Sequence, residues 1–428
     1  MKIIENADLK GKKLLILAGA AVHCKVVEAA KSLGVYTIVT DYFPDSPAKK
    51  IADEAWSLDI VDVDAIALRC KAENVDGVLT FSIDPAQRPY QAICEKLSIP
   101  CYCTKEQVIT MTDKKAFKAY CMAHGVDVIP EYSEEDIAHD KVEYPIFVKP
   151  AISRGSRGQT ICYSKDETAS AFAFAKRESN NGQVLIEKYM GENQDFVISY
   201  LVIDEVPYIT KIGDRYLGRT ADCLDKQCIS TISPSKYTQM YLTNVEPRVK
   251  SMITSLGIKF GPIFLQGFID GETVRFYDPG MRFPGGDFDL LLRDNTGFDT
   301  MKTLIYFALT GHTKHCFGNP VNAYKLNSYM GIQLTISACP GVVEIYDGFR
   351  EIAELPYVIS TSKRIKVGEQ IPASGDVRQR VAEVSILVPD KMRAKAVVKD
   401  VYSKLRVVDN NGKDMLVSLL DLDVLDMY

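Results

Sequence analysis

No apolar run in this chain reaches the roughly 20 residues that a membrane-crossing helix needs. The opening MKIIENADLKGKK also lacks the apolar centre of a secretion signal, so neither a membrane nor an exported protein is expected. Charge bias is missing too: 51 Lys and Arg face 56 Asp and Glu, a net charge of −5 that gives no overall pull toward nucleic acid or an anionic bilayer. There is no internal repeat, no low-complexity tract and no coiled-coil heptad pattern. The eleven cysteines are odd in number and scattered. Their only close pairs, Cys101/Cys103 and Cys223/Cys228, lack zinc spacing and no histidine cluster joins them, so reduced thiols and a cytoplasmic setting are expected. No Ser/His/Asp or Cys/His arrangement has the spacing of a nucleophilic centre. The first strand–helix turn holds Gly19 where a dinucleotide fingerprint wants three glycines, which leaves Asp41, at the end of the second strand, a weak ribose candidate.

What is present is an ordinary globular composition, 46% hydrophobic and 25% charged, over 428 residues. That length calls for two to four domains. The apolar run Leu14–Ala18, a helical pattern from about Val22 to Leu33 and the strand Tyr36–Thr40 open a parallel α/β sheet, which Val75–Phe81 and the helix Pro85–Leu97 continue. Thr112-Asp113-Lys114-Lys115 starts a helix that runs to about His124, with Asp113 as its cap and Gly125 at its end. Ser133–Glu143 is polar and reads as a surface connection. Strands follow at Gln183–Tyr189, Asp195–Ile203 and Pro207–Ile212. Alternating residues from Ile263 turn at Asp270-Gly271 and return through Val274–Tyr277, a hairpin signal. A helix is expected from about Phe298 to Leu309. The last hundred residues predict short strands at Gly331–Ser337, Gly341–Tyr346, Ile365–Val367 and Arg380–Val388, then a helix at Lys391–Leu405.

The stretch Tyr144–Gly158, YPIFVKPAISRGSRG, carries the most chemistry. Ile146–Val148 delivers Lys149 at a strand end, Pro150 stops the strand, and a loop of Ser, Arg and Gly follows. A lysine facing a small-residue loop suits polyphosphate, because backbone N–H groups approach the oxygens where no side chain intervenes and the ammonium supplies a point charge. A solvated surface turn is the plainer meaning of the same residues; what comes downstream decides between them.

In order, the Asp113-Lys114 helix start, FVKP with its Gly-rich loop, IEKYM at Ile186–Met190, and a hairpin leading to Asp278 and Arg282 resemble the ATP-grasp superfamily. The resemblance covers roughly residues 1–320. It implies an α/β fold with an N-terminal pre-ATP-grasp domain over 1–110 and an ATP-grasp domain over 111–320 that contains a small lid at about 145–187. A β-rich domain over 321–428 is similar to that of carboxylase-type members. The resemblance assigns ATP to Lys114, Lys149, Ser153, Gly155, Ser156 and Gly158 at the phosphates. It assigns the adenine to Glu187, Lys188 and Met190, and the ribose to Asp195. Mg²⁺ or Mn²⁺ falls to Asp278 and Gln266, where the family has two carboxylates; Gly280 stands where the family has Asn. Arg282 is implied as the catalytic cation. Arg215 and Arg219, in GDRYLGR, are candidates for holding a substrate carboxylate, with solvated loop arginines as the plainer reading of the same residues.

The activity implied is ligation of a small-molecule carboxylate to an amine, or to a thiol, through an acyl phosphate, with ADP and phosphate released. Two other readings stay open: a carbamoyl-phosphate-synthase or biotin-carboxylase-like reaction on bicarbonate, and an ATP-binding protein without turnover. Neither nucleic acid nor membrane is an expected partner, and the carboxylase-type members make a homodimer an option.

Overall fold

Leu14–Leu17 are fully buried, as a strand covered on both faces must be. In the computed structural model, which describes residues 9–150, 158–179, 182–191, 193–218, 227–375 and 377–428, they belong to β1 (Lys13–Leu17). With β2 (Tyr36–Thr40), β3 (Glu54–Trp56) and β4 (Gly77–Thr80) it forms a parallel sheet of order β3-β2-β1-β4. Asp41 does not stand open at its strand end, since its carboxylate accepts from the backbone N–H of Gly19 (2.7 Å) and Phe43 (2.9 Å).

His23, in the turn after β1, is buried with its ring nitrogens facing the carbonyls of Ala20 (3.3 Å) and Phe81 (3.1 Å). Burial pushes its pKa down from 6.5 to about 4. The unfolded chain therefore takes up this proton first as pH falls. Stability owed to the neutral ring is complete above pH 6.5 and lost as pH drops through about 4, a loss on the order of 3 kcal/mol. Urea unfolding across that interval should show it, and His23→Gln should flatten the slope. An equally steep slope in the variant would clear His23 of the effect.

A second, smaller sheet of order β5-β8-β6-β7 is built from β5 (Glu131–Tyr132), β6 (Ile146–Pro150), β7 (Thr160–Cys162) and β8 (Val184–Lys188). The helix Lys165–Glu178 covers it. The expected surface connection before β6 contains a short helix, Glu134–Ala138, closed at its start by a Ser133/Asp136 capping box.

The largest sheet among the described residues is antiparallel and nine-stranded. It comprises β9 (Asp195–Ile203), β10 (Val206–Leu217), β11 (Cys228–Ser233), β12 (Phe260–Asp270), β13 (Thr273–Gly280), β14 (Met330–Ala338), β16 (Val358–Lys363), β18 (Arg380–Val388) and β20 (Leu416–Val417). Its order is β13-β12-β9-β10-β11-β14-β18-β16, with β20 on β14. The pairing of β11 with β14 carries one sheet across residue 320. A three-stranded sheet of β17 (Gln370–Ile371), β15 (Gly341–Asp347) and β19 (Arg406–Asp409) packs beside it. The strand expected at Ile365–Val367 is not one: the ladder with β18 ends at Lys363, and Lys366–Glu369 form a turn with Glu369 N–H bonded to the Lys366 carbonyl at 3.2 Å. The helix Phe288–Thr296 and β11 have no counterpart in the sequence expectations. No helix among the described residues is long and apolar enough to cross a membrane, and the ten described cysteines are free thiols.

Candidate active site

Period-two alternation sets up the site. On β9 and β10 the residues Asp195, Val197 and Ser199 sit opposite Arg215, Gly213 and Lys211. Across β12 and β13, Val197 continues to Gln266 and Asp278, and Ser199 to Phe264 and Gly280. In the other direction Arg215 continues through Thr231 to Gln333 and Ser385. One face of the sheet thus presents a polar strip running from the hairpin into the C-terminal strands.

The helix Lys114–Ala123, capped by the Asp113 side chain on Ala116 N–H (2.9 Å), stands over that strip. Lys114 and Lys118 lie one turn apart on it and therefore on one face. Lys114 Nζ reaches Asp278 Oδ1 at 3.3 Å. Lys118 Nζ donates to Glu187 Oε1 at 2.7 Å and also pairs with Glu131. The other oxygen of Glu187 is taken by Lys149. Burial opposes charge on Glu187, but Lys149 and Lys118 outweigh it and hold the carboxyl below the usual carboxylate range. One helix face thus makes two separate sets of ion pairs, one to the hairpin aspartate and one to the hinge glutamate and, through it, the strand-end lysine. Lys118 was missed from the sequence, although its spacing from Lys114 was there to be used.

Two variants test this linkage. Lys149→Ala should weaken ATP binding about 10- to 100-fold, the scale of a lost charge-assisted contact. Lys118→Met should weaken it about tenfold, because Glu187, left to Lys149 alone, holds that lysine back from phosphate. Calorimetric affinities unchanged in both folded variants would remove the pair from the site.

The other assigned residues fall out as follows. Ser153, Gly155, Ser156 and Arg219 lie outside the described residues. Gly158 has φ +77°, and a Cβ there would stand 2.7 Å from Pro150 Cγ, so only glycine fits where residue 158 packs against Pro150. Lys188 gives its N–H to the Pro130 carbonyl (3.0 Å) and its ammonium to Glu143 (3.0 Å). Met190 is buried, and its carbonyl accepts from Asn193 N–H at 3.0 Å. Asp195 is not an open ribose acceptor. It is buried against Arg215 (2.6 Å) and the Tyr277 hydroxyl (3.3 Å).

Arg215 links the two halves of the strip. Besides Asp195 it meets Gln266, whose carboxamide, turned oxygen-first, accepts from Arg215 Nε at 3.0 Å. Burial opposes its charge, yet Asp195 raises its pKa above the ordinary value. At the position expected to hold a metal the donors are therefore one carboxylate, Asp278, and an amide already engaged by a cation. That set fits a metal arriving with the nucleotide's own phosphate oxygens better than one bound by protein alone. Consistently, no cluster of three or more His, Cys, Asp or Glu able to hold a metal occurs among the described residues.

Arg282 is held from the turn that follows β4. Asp84 accepts from its Nε (2.6 Å) and Nη2 (3.0 Å), and Gln87 Oε1 accepts from Met281 N–H at 2.6 Å. The guanidinium lies 4.6 Å from the Phe264 ring centroid. Glycine at 280 leaves room for this pose, since a Cβ there would stand 3.2 Å from Arg282 Cγ. A cavity of about 380 Å³ opens beside Arg282, lined among others by Lys211, Arg215, Gln266, Gln333 and Arg380.

Comparison with known proteins gives a matched segment and a shared fold. Residues 112–214 match the family described as carbamoyl-phosphate synthase L chain, ATP binding domain. A formate-dependent phosphoribosylglycinamide formyltransferase of Syntrophotalea carbinolica is 22% identical over 92% of this chain and 96% of its own length. The L-amino acid ligase of Bacillus licheniformis superimposes with a TM-score of 0.74 at 17% identity, covering 94% of this chain and 100% of that one. The biotin carboxylase domain of Hydrogenobacter thermophilus 2-oxoglutarate carboxylase, solved with MgADP and bicarbonate, gives 0.72 at 18% identity over 97% and 95%. Over residues 112–214 the chain is thus similar to that ATP-binding domain family, and over nearly its whole length it shares the fold of these ligases and carboxylases.

Proposed function

We propose that the protein is an ATP-dependent carboxylate–amine ligase. The observation that carries the reading is the face of one helix on which Lys114 reaches Asp278 while Lys118 reaches Glu187 and, through it, Lys149. It gathers a phosphate-binding lysine and a metal-binding carboxylate around one cleft. Lys149 exchanges Glu187 for phosphate oxygens when ATP enters, and the hinge segment from Glu187 to Met190 receives the adenine. Asp278 holds Mg²⁺ or Mn²⁺ brought with the nucleotide. When bound, the metal neutralises charge on the β- and γ-phosphates.

The substrate carboxylate attacks the γ-phosphoryl group, forming an acyl phosphate and ADP. The amine then displaces phosphate from the acyl carbon and gives up its proton. Arg282, fixed by Asp84, faces the charge that develops at the transferring phosphoryl group and at the tetrahedral centre that follows. Catalysis on this reading is positioning plus electrostatics, with no protein nucleophile.

Bicarbonate, named for the 2-oxoglutarate carboxylase domain, is the second candidate for the carboxylate. A homodimer, also named there, is part of the same comparison. The deciding experiment is ADP release with single amino acids, small carboxylic acids or bicarbonate, run with and without hydroxylamine. Acid-dependent ADP release with hydroxamate formation supports the ligase, and release that needs bicarbonate supports the carboxylase. ATP binding with no turnover under any condition would sink both.

A further inference from the structure

Lys211 is the least expected side chain in the cavity beside Arg282. It is 3% exposed, on the strip that carries Arg215 and Asp278. Its ammonium donates to the neutral amide of Gln333 across two strands (2.5 Å) and lies 4.8 Å from the Phe288 ring centroid. Among the described residues no carboxylate pairs with it. The other cations lining the cavity are compensated: Arg215 by Asp195, Arg282 by Asp84, and Arg380 by Glu383 at 3.9 Å.

The groups facing Lys211 come from four elements. Arg215 lies on its own strand and Cys228 on β11. Asp289 comes from the helix Phe288–Thr296 and is already ion-paired with Lys25 of the helix Cys24–Ser32. Burial, with Arg215 and Lys25 adding to it, pushes the lysine pKa down to about 7. A buried ammonium backed only by an amide and a ring is costly unless an anion reaches it. The cavity supplies the route, and two of the three ammonium N–H groups remain for a ligand.

We propose that Lys211, supported by Gln333, anchors a carboxylate of the acceptor-site substrate that takes no part in the reaction, so that this substrate is an amino acid or a dicarboxylic acid. The proposal rests on the ligase reading and adds the substrate class. A simple amine or a monocarboxylic acid would leave the ammonium as it is in the empty cavity.

The test uses calorimetric titration of the full chain with succinate and L-alanine, each against the amide that lacks its carboxylate, succinamide and L-alaninamide. Each titration is run with and without Mg²⁺ and a non-hydrolysable ATP analogue. At least one acid should bind and its amide should not. Lys211→Met should lose that binding about tenfold or more, and Lys211→Arg should keep most of it. Succinate alone would identify a dicarboxylate site and alanine alone an amino-acid site. Because the bound carboxylate raises the lysine pKa, binding above pH 7 should take up a proton in the wild type, visible as a dependence of heat on buffer, and should take up none in Lys211→Met. A lysine with only a structural role would not show that difference. Equal affinity in wild type and Lys211→Met, amides binding as well as acids, or no acid binding to the folded wild type would each overturn the proposal. Failure of the ATP analogue to bind would instead strike the ligase reading, while the acid titrations without nucleotide still decide on Lys211.

Discussion

Arg282→Ala should lower acid-dependent ADP release by about a hundred- to a thousand-fold, the usual effect of removing one fixed donor to a transition-state oxyanion. ATP affinity should hardly change, because the charge that Arg282 meets develops during transfer. The fold should survive the loss. Asp84, the partner left behind, is 63% exposed at its side chain and keeps the Gln87 amide at 2.9 Å, so no buried charge is stranded. Arg282→Lys should rescue little, since the two-pronged contact with Asp84 needs the planar guanidinium. Asp84→Asn should give an intermediate loss in kcat by loosening the pose without removing the cation. Turnover indifferent to all three substitutions would show that the transferring group is held elsewhere.

The second large effect concerns the metal. Titration of the nucleotide-analogue complex with Mn²⁺, followed by electron paramagnetic resonance, should find a single tightly bound ion. Asp278→Asn should weaken it about 10- to 100-fold, since the one carboxylate at that position is gone. From sequence alone Gln266→Glu looks like the repair of a missing ligand and should tighten metal binding. The structure predicts otherwise. The position already touches Arg215, so a new carboxylate there would pair with the guanidinium, and metal stoichiometry should stay the same. A second ion in the wild type, or one gained in Gln266→Glu, would refute this account of the site.

The contrast between Gln266 and Lys118 shows where the sequence is legible. FVKP, IEKYM and the Asp270-Gly271 hairpin are local patterns, and each sits on the element expected of it: Lys149 near the end of β6, Glu187 in β8, Asp278 in β13. β9 and β18 match their expected bounds, because each is a nine-residue run rich in Val and Ile, β9 buried along its whole length. What could not be read are contacts made across long stretches of chain. Arg282 depends on Asp84, 198 residues away, and Lys211 on Gln333, 122 away, and neither partner has a motif of its own. β11 is short and polar, and it is a strand because β10 and β14 pair with it on both sides. The helix Phe288–Thr296 opens directly after Gly285-Gly286, in a stretch where the sequence offers no element.

Strand order also fixes a length. Asp278 on β13 and Lys211 on β10 are three strand spacings apart, about 14 Å along the sheet, and the lysine side chain itself covers part of that. What remains is a span of a few bonds, the gap a two-ended substrate would bridge. Every strand between them is hydrogen-bonded to its neighbours, so the span is a property of the backbone ladder and not of domain position. Rejection of substrates that are too long or too short should therefore be the same whether or not ATP is bound, however the four-stranded sheet around Lys149 rearranges.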